Sequence, residues 1–307
     1  MATTNQLLSY GDLAAKEDVV LNAVSILTAR ETMLLNMLGG SVAINTIHSF
    51  LTDTLAAAGT QAVAESDDYT NLARTTPARL TNIVEIVAIP FRVSRTQRDI
   101  SHYTGEDELA RQTEKALMEW ANAAEFDIVR SSLVSGVSGT VAKMNGLIVA
   151  ISKSTNTTAH NSGTVWSASI LDGLMLGNWD NSNGDTATDL FMGSFLRNAT
   201  DAFTQKSNMV VNAVGATAIV RTVSTYETAM GTVSIHKHRY VQQSGDATAR
   251  VLALRPEKLK LAWLRKPYID TELSRSGDYD ARAVVGKLTV EVRNQDVHWF
   301  ASGFDKD

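Results

Sequence analysis

One long amphipathic helix in an otherwise strand-rich chain most constrains the fold. Between residues 104 and 133, apolar or small side chains recur every three or four positions, at Leu109, Thr113, Leu117, Trp120, Ala124 and Ile128. Thr104 and Asp107 have the spacing of a capping box, and Ser135-Gly136 ends the pattern. A helix of about 28 residues measures about 42 Å. A lone rod of this length does not form a bundle, so the pattern predicts an α+β fold with the helix lying across a sheet.

Residues 41–100 are expected to form a long, extended excursion. Two β-prone runs, 42–50 and 80–89, lie on either side of a polar tip, Glu65-Ser66-Asp67-Asp68. A loop of this length is unusual in a compact domain unless it binds something. The simpler alternative is a two-stranded flap on the domain's own sheet.

The other segments mix helix and strand signals. Val19–Leu38 is loosely helical, and Gly39-Gly40 should end that helix. In the middle of the chain, the pattern predicts a buried strand at Gly146–Ile151 and a surface loop at 152–164. It predicts a helix over Trp166–Leu176 and a turn at Asn178–Asp185. The run Leu190–Thr200 fits either a helix or a strand. Toward the end, alternation predicts strands over Thr232–Tyr240 and Leu288–Arg293.

The composition excludes several classes of protein. The 28 Lys and Arg against 33 Asp and Glu give a net charge of −5, which argues against a general nucleic-acid binder. The chain has no Cys, which removes disulfides, thiolate metal sites and Cys nucleophiles. No apolar run reaches the ~20 residues of a membrane span, and the first residues lack an export signal. We therefore expect no membrane segment, and a protein that acts in the cytoplasm where it is made or in something assembled there.

Motifs of catalysis are missing from the sequence. It contains no phosphate-binding loop, no dinucleotide-binding glycine pattern, no nucleophile elbow and no metalloprotease helix. We predict no catalytic residues, no cofactor-binding residues, no metal ligands and no cofactor.

Three weaker candidate sites each have a simpler interpretation. His236 and His238 would share a strand face and could bind a metal, but two surface histidines are favoured because no carboxylate is close in sequence. Asp180–Asp189 has the composition of a calcium loop, but its spacing favours a plain turn. Four acids could form a paired-carboxylate site, with solvated strand faces and hairpin ends as the alternative: Asp278, Asp280, Glu291 and Asp296.

Charge is distributed unevenly along the chain. Residues 1–70 carry two basic and eight acidic side chains, whereas Arg250–Pro267 carries six basic side chains against Glu257. That basic stretch could contact phosphate, or an acidic surface of a neighbouring subunit. No lysine occurs between Lys16 and Lys115, so the basic residues of 41–100 are all arginines: Arg74, Arg79, Arg92, Arg95 and Arg98. Their guanidinium groups can form two hydrogen bonds to one carboxylate and suit carboxylates on a neighbouring subunit.

The order of these segments resembles the HK97-type major capsid proteins of tailed bacteriophages, and within them the SU10-like major head proteins. Four stretches are similar to that family: TIHSFLTDTLAAA at 46–58; LTNIVE at 80–85 with FRVSRTQ at 91–97; RTVSTYE at 221–227 with GTV at 231–233; and SGD at 276–278 with Arg282, VGKLTVEVRN at 285–294 and His298. The family typically carries a Trp where Phe50 stands, and both residues are aromatic. None of these stretches is a catalytic motif, so the resemblance rests on their order and coverage.

The resemblance implies a division of the chain into five parts. It gives an N-terminal arm at 1–40, an extended loop at 41–100 that lies over a neighbouring subunit, and a peripheral domain with a spine helix at 101–140. An axial domain at 141–228 and C-terminal peripheral strands at 229–307 complete it. The implied function is structural: a major capsid protein that self-assembles into hexamers and pentamers, forming the icosahedral head around the double-stranded DNA genome.

The resemblance also implies partners and location. Besides copies of itself, the chain would meet a portal, a separate scaffolding protein and, at gaps, a decoration protein. Packaged DNA would line the interior without sequence-specific binding. The protein would be part of the virion, assembled in the host cytoplasm.

Two alternative functions remain open at this point. An encapsulin-like cellular shell uses the same fold. A soluble β-rich hydrolase is the rival of another class, and it would require a convergent acid/base or nucleophilic set that the sequence does not show.

Overall fold

A computed structural model describes most of the chain beyond the N-terminal arm. The described residues are Leu55, Gly59, Ala62 and Glu65 together with the ranges 32–53, 76–99, 107–136, 139–152, 157–182, 184–203, 224–243, 245–274 and 277–305. Most of the helix expected over Val19–Leu38, the loop tip at 66–68, Arg74 and Thr104 lie outside them.

Six α-helices and twelve strands follow one another in these residues, with short 3-10 helices at Pro256–Lys258 and Gln295–Val297. The helices are α1 Met33–Met37, α2 Arg95–Asp99, α3 Glu108–Arg130, α4 Leu147–Ile151, α5 Ala168–Asn181 and α6 Ser194–Phe203. The strands are β1 Gly39–Val42, β2 Ile47–Thr52, β3 Ala78–Ile83, β4 Glu85–Ser94, β5 Thr157–Thr164, β6 Asp189–Met192, β7 Thr225–Thr228, β8 Gly231–Lys237, β9 Ala249–Leu254, β10 Leu259–Asp270, β11 Tyr279–Val292 and β12 Trp299–Phe304. None of the described helices has both the length and the apolarity needed to cross a bilayer.

A four-stranded sheet carries the long helix on one face. Its order is β1-β10-β11-β4, with β1 parallel to β10 and the other pairs antiparallel. Alternate residues of β4 and β11 point toward α3, and Trp120 of α3 lies directly over Gly286. α1 and α4 pack into the same core, which includes these fully buried or nearly buried residues: Leu34, Trp120, Ile128, Leu147, Leu261, Leu288 and Val290. The expected arrangement of one long helix across a sheet is confirmed.

A six-stranded sheet forms the second core. Its order is β5-β12-β9-β6-β8-β7, and α5 and α6 pack on it through Leu171, Met175 and Leu196. The strands after residue 229 are therefore divided between the two sheets: β10 and β11 belong to the four-stranded sheet, whereas β8, β9 and β12 pair with strands of the middle segment. The resemblance implied that residues 229–307 all belong to the peripheral part of the molecule.

The segment 41–100 contains a separate two-stranded hairpin. β2 pairs with β3 from Ile47–Ile83 to Thr52–Ala78, in a sheet of its own. Each of the two β-prone runs is interrupted, at residues 43–46 and at Val84, so that β1 and β4 enter the four-stranded sheet while β2 and β3 leave it. One part of each β-prone run therefore forms the hairpin, and the other part of each run belongs to the four-stranded sheet. The two runs are not uninterrupted arms.

Helix α3 is shorter than its sequence pattern suggested. It spans 23 residues, or about 35 Å. Asp107 caps its N-terminus by accepting a hydrogen bond from the Leu109 N–H at 3.1 Å. It ends at Arg130, five residues before the expected Ser135-Gly136 stop, because Ser131 turns into an extended conformation and bonds Gly146 and Glu85 instead.

Two expectations for the middle segment are wrong. Gly146–Ile151 is not a buried strand: residues 147–151 form helix α4. A Cβ on Gly146 would lie 2.7 Å from the Ser131 backbone nitrogen, so this tight crossing of two chain segments sets the start of the helix. The expected loop at 152–164 contains β5, which gains backbone partners by lying parallel to β12.

The remaining elements of this segment agree better with the sequence. The helix expected over Trp166–Leu176 is confirmed as α5, which extends into the expected turn as far as Asn181. Buried Asn178 explains the extension, because its amide group bonds the carbonyls of Asp296 and Val297 and the N–H of Ala187. Leu190–Thr200, which fitted either type, contains strand β6 followed by helix α6.

Candidate functional site: the hairpin base and the α1 junction

The two candidate metal histidines do not share a site. His236 Nε2 lies 2.9 Å from the Asp189 carboxylate and is partly exposed, whereas His238 lies beyond the end of β8 and is fully buried. The interpretation of both as surface histidines is therefore wrong for His238. Each imidazole has its own carboxylate partner, which sequence distance concealed.

The acidic candidates are also spread apart. Asp278 and Asp280 lie at the start of β11 and Glu291 at its other end, about 37 Å away at the rise of an antiparallel strand, and Asp296 follows in a separate turn. Asp280 pairs with Arg95 and Arg98. Glu291 is only 1% exposed, so the expectation of a solvated strand face is wrong for this residue. No paired-carboxylate site forms from these four.

The calcium-like segment is occupied by ion pairs within the chain. Asp185 bonds Arg255 and lies 3.8 Å from the Lys258 ammonium, while Asp189 accepts from His236 and the Thr188 hydroxyl. Across the described ranges, no group of three or more His, Asp or Glu side chains is arranged to hold a metal ion.

Half of the basic stretch Arg250–Pro267 is neutralised within the subunit. Arg250 pairs with Asp246, and Arg255 and Lys258 pair with Asp185. Arg265, in contrast, lies over the Tyr268 ring with its carbon 5.1 Å from the ring centre and donates to that residue's hydroxyl. The cations of this stretch that remain open to a partner therefore lie in its second half.

The base of the hairpin is fixed by a buried amide. Asn82, 5% exposed, donates to the Val290 carbonyl at 2.8 Å and the Asn145 carbonyl at 3.2 Å, and its oxygen accepts from the Asn145 N–H. One side chain thus joins β3 to β11 and to the segment before α4. Because buried polar groups are costly when unpaired, this arrangement favours one position of the hairpin.

A buried carboxylate holds the other strand of the hairpin. His48 Nε2 lies 2.8 Å from Glu291 Oε1, and Arg293 donates to Oε2 of the same group at 2.7 Å. Hydrogen bonds from Ser41, His48 and Arg293 lower the pKa of Glu291 against the opposing effect of its burial. Glu291 therefore stays ionised and ties β2 to the end of β11.

A pair of acids, Glu85 and Asp127, lies near the base of the hairpin, where β4 begins. Glu85 accepts from the Ser131 hydroxyl at 3.0 Å and the Met144 N–H at 3.1 Å. Asp127 lies one helical turn before Ser131, and the negative charge of Glu85 acts on its carboxyl group. Burial raises the pKa of the Asp127 carboxyl to about 7, with Glu85 adding to the rise and Lys143 opposing it.

Asp127→Asn is expected to stabilise the subunit in a pH-dependent way. Between pH 4 and 7 the folded chain holds a proton on Asp127 that the unfolded chain releases, so the wild type loses stability as the pH rises through this window and stays at the lower level above it. The full shift corresponds to about 4 kcal/mol, and solvent screening of this partly exposed carboxyl reduces the expected gain of the variant at pH 8 to about 1–2 kcal/mol. Urea unfolding at pH 4 and pH 8 measures it, with exposed Asp99→Asn as the control. An equal effect at both pH values would contradict the assignment.

A third buried carboxylate joins α1 to the rest of the molecule. Glu125 of α3 accepts from the N–H groups of Leu34 at 2.7 Å and Leu35 at 2.8 Å, which are orphan donors of the first turn of α1. His238 Nε2 lies 2.9 Å from the same carboxylate. Since the Tyr240 N–H donates to Nδ1 of that imidazole, Nε2 carries the proton and donates to Glu125. The arm thus enters the fold at a junction of α1, α3 and the segment after β8.

The hairpin and its surroundings expose large apolar side chains. Ile44 is 91% and Leu55 97% exposed, and several others near them are more than half exposed: Val42, Ile47, Leu51 and Ile86. Several large apolar side chains exposed in one part of a subunit are typical of a surface that another molecule covers. Sequence reasoning found the excursion but not the buried groups that hold it, since Asn82, Glu85 and Glu125 carry no motif.

Two of the loop arginines find carboxylates inside their own subunit. Arg98 bonds both Asp107 and Asp280, and Arg95 lies 3.4 Å from Asp280. Arg79 donates to the Ser49 hydroxyl, and Arg92 lies over the Tyr279 ring. Within the subunit, Arg95 and Arg98 thus already have carboxylate partners, and pairing of the loop arginines with a neighbour stays a prediction.

Comparison with known proteins identifies the architecture. The sequence matches the family model of the SU10 major capsid protein over residues 2–304. The capsid of the native GTA particle superposes with a TM-score of 0.69 at 11% identity, covering 99% of this chain and 100% of that one. A Microbacterium phage Oxtober96 chain gives 0.67 at 15% identity, covering 97% and 99%. The SrpI encapsulin of Synechococcus elongatus gives 0.61 at 11% identity, covering 92% of each chain.

These likenesses confirm the α+β, HK97-type capsid fold. At such low identity the solved structures show the fold alone, and the encapsulin is a relative in fold. No curated protein matches the sequence. The family match, which spans nearly the whole chain, is what decides membership. The chain belongs to the SU10 major capsid protein family, a structural component of a phage virion and not an enzyme.

Proposed function

We propose that this chain assembles into hexamers and pentamers that close into the icosahedral head around the phage's double-stranded DNA genome. The family match over residues 2–304 carries the proposal. The anchored hairpin supports it physically, because exposed apolar residues such as Ile44 and Leu55 gain a favourable environment only when another subunit covers them. The net charge of −5 suits a surface that lines packaged DNA without gripping it.

The two cores suggest how the parts of the subunit are used. In this proposal, α3 with the four-stranded sheet is the peripheral domain, and the six-stranded sheet with α5 and α6 is the axial domain near the capsomer centre. The hairpin of β2 and β3 reaches a neighbouring subunit, and residues 1–40 form the arm. A portal, a separate scaffolding protein and a decoration protein at gaps are the further partners, with assembly in the host cytoplasm.

An encapsulin-like cellular shell is the second candidate function. The SrpI likeness supports it, since that chain shares the fold over 92% of its length. The family match favours the phage head.

Purified subunits are expected to form closed shells, or rings of six and five, in negative-stain micrographs. Boiling these particles in SDS should return a single band of monomers, because no lysine between Lys16 and Lys115 can donate the amine of an isopeptide bond from the hairpin segment. A guanidinium stays protonated at neutral pH and is a poor nucleophile. A small monodisperse species that never assembles would count against the shell, and an SDS-stable ladder would count against non-covalent locking.

A further inference from the structure

Helix α5 has one side that the described part of the subunit leaves uncovered. Its buried residues Leu171, Met175 and Asn178 lie on the opposite side, against the six-stranded sheet and the 3-10 helix before β12. Leu176 lies at the middle of the uncovered side and is 48% exposed, and Trp179, almost one turn further, is 43% exposed. We call this surface the outer α5 face; it consists of Ser169, Asp172, Gly173, Leu176, Trp179 and Asp180.

Two glycines weaken α5 without serving the subunit. Gly173 and Gly177 are about one turn apart, and among the described residues a Cβ at either would meet nothing within 4 Å. Glycine inside a helix is less favourable than alanine, because it loses more backbone freedom on folding. A second molecule that packs closely against α5 would explain both glycines, since a missing Cβ lets another chain approach the helix backbone.

The charges of the outer α5 face indicate which kind of surface fits it. Asp172 and Asp180 lie one turn before and one turn after Leu176, and α5 carries no Lys or Arg. Two outer α5 faces packed across a two-fold axis would bring four carboxylates together, and like charges that face each other are destabilising. A ring of subunits instead joins two different surfaces of the chain. The fitting partner is therefore a basic surface elsewhere on a second copy.

The end of β8 has that basic character. Lys237 and Arg239 are exposed there, and among the described residues neither Lys237 nor Asp180 has an ion pair. Asn178, two residues before Asp180, bonds the Ala187 N–H just before β6 begins. Lys237, in contrast, ends β8, whose last residue is paired with the last residue of β6. Asp180 and Lys237 therefore lie toward opposite ends of β6 and do not pair within one subunit.

We propose that the outer α5 face packs against the end of β8 of a second copy, with Asp180 beside Lys237 and with Leu176 and Trp179 covered by the contact. In a ring, each subunit uses both surfaces at once. This inference rests on the proposed shell function and names the two surfaces through which neighbours of one ring meet. Exposed ion pairs contribute little, so burial of the apolar side chains supplies affinity and the charges select which surfaces meet.

Substitutions on the outer α5 face test its role. Leu176→Asp is expected to lower the yield of shells roughly tenfold, because the apolar contact is lost. Leu117→Asp is the matched control and should assemble normally, since Leu117 is 40% exposed on α3. Gly173→Ala with Gly177→Ala should raise the melting temperature of the subunit by about 2 °C or more and still lower the yield of shells. A role inside the subunit alone would not give these opposite signs.

Exchange of the two charges tests the partner surface. Lys237→Glu and Asp180→Lys are each expected to lower the yield of shells about fivefold, since each places like charges across the contact. The double variant restores the pair in the opposite order and should assemble like the wild type. Lys115→Glu reverses a charge on α3 and should also assemble normally. Circular dichroism confirms that each subunit is folded.

The absence of cysteine allows a third measurement on assembled particles. Asp180→Cys with Lys237→Cys, treated with a short bis-maleimide, should give covalent multimers of up to about six subunits, because every subunit uses both surfaces. Asp180→Cys with Lys115→Cys should stay monomeric.

Four results would each overturn the contact while leaving the shell intact. They are full assembly of Leu176→Asp or of the glycine pair, full assembly of either single charge variant, no rescue by the double charge variant, and no multimers from Asp180→Cys with Lys237→Cys. A wild-type chain that forms no shells would instead overturn the proposed function and this inference with it.

Discussion

Gly286→Ala is expected to destabilise the subunit by about 2–4 kcal/mol, through overpacking and a lost hydrogen bond. A Cβ at this position would lie 2.3 Å from Trp120 Cζ2, far inside van der Waals contact. The indole cannot easily retreat, since it is 3% exposed and its Nε1 donates to the Val87 carbonyl at 2.9 Å. Either α3 lifts from the sheet or that hydrogen bond breaks.

Urea unfolding of the purified subunit measures the effect of Gly286→Ala. Gly40→Ala is the matched control, because Gly40 also lies in the four-stranded sheet and a Cβ there would meet nothing within 4 Å. The control should change the free energy of unfolding by no more than about 0.5 kcal/mol. Equal stabilities for the two variants would show that α3 does not press on the sheet as described.

Glu125→Ala is the second large effect, with an expected loss of about 3–5 kcal/mol. The change would leave the N–H groups of Leu34 and Leu35 and the imidazole N–H of His238 buried without an acceptor. Each such orphan donor costs about 1–3 kcal/mol, offset in part by relaxation and by entry of water. Because α1 shares this carboxylate with His238, amide exchange should rise both in residues 33–37 and near 238–241.

Glu119→Ala provides the control on the same helix. Glu119 is half exposed and forms only a surface pair with Lys115 at 3.6 Å, so its loss should change stability by less than about 0.5 kcal/mol. The claim that Glu125 joins α1 to the segment after β8 is contradicted if Glu125→Ala unfolds at the same urea concentration as Glu119→Ala. It is also contradicted if amide exchange rises only in α1.

Periodicity made the helix and strand types predictable where one face of an element is buried. α3 shows its apolar stripe in the sequence, and its real end at Arg130 was missed because Ser131 leaves the helix to bond distant Glu85 and Gly146. Gly146–Ile151 is apolar on all sides, and a run of that length fits a strand or a helix equally. Only the packing of this run between α3 and the strands determines that it forms a helix, α4, rather than a strand.

The buried polar groups of the site could not be read from local patterns. Glu291 alternates with apolar neighbours as a solvent-facing residue does, yet the hairpin base covers it and His48 bonds it from 243 residues away. The sequence predicts a surface position for His238 because no carboxylate is close to it in sequence, yet its partner Glu125 is 113 residues distant. The resemblance to capsid proteins supplied the family, but these contacts come from the three-dimensional arrangement.

The pairing of the four-stranded sheet also orders events during synthesis. Both β1 and β4 come from the first third of the chain, whereas their partners β10 and β11 extend to Val292. Asn82 and His48 likewise need Val290 and Glu291 before the hairpin has a fixed base. A nascent chain on the ribosome therefore leaves the hairpin base unformed until Glu291 has emerged, and such non-local pairing makes completion slow. In the proposed head, a subunit would therefore offer its hairpin to a neighbour only after this pairing is complete.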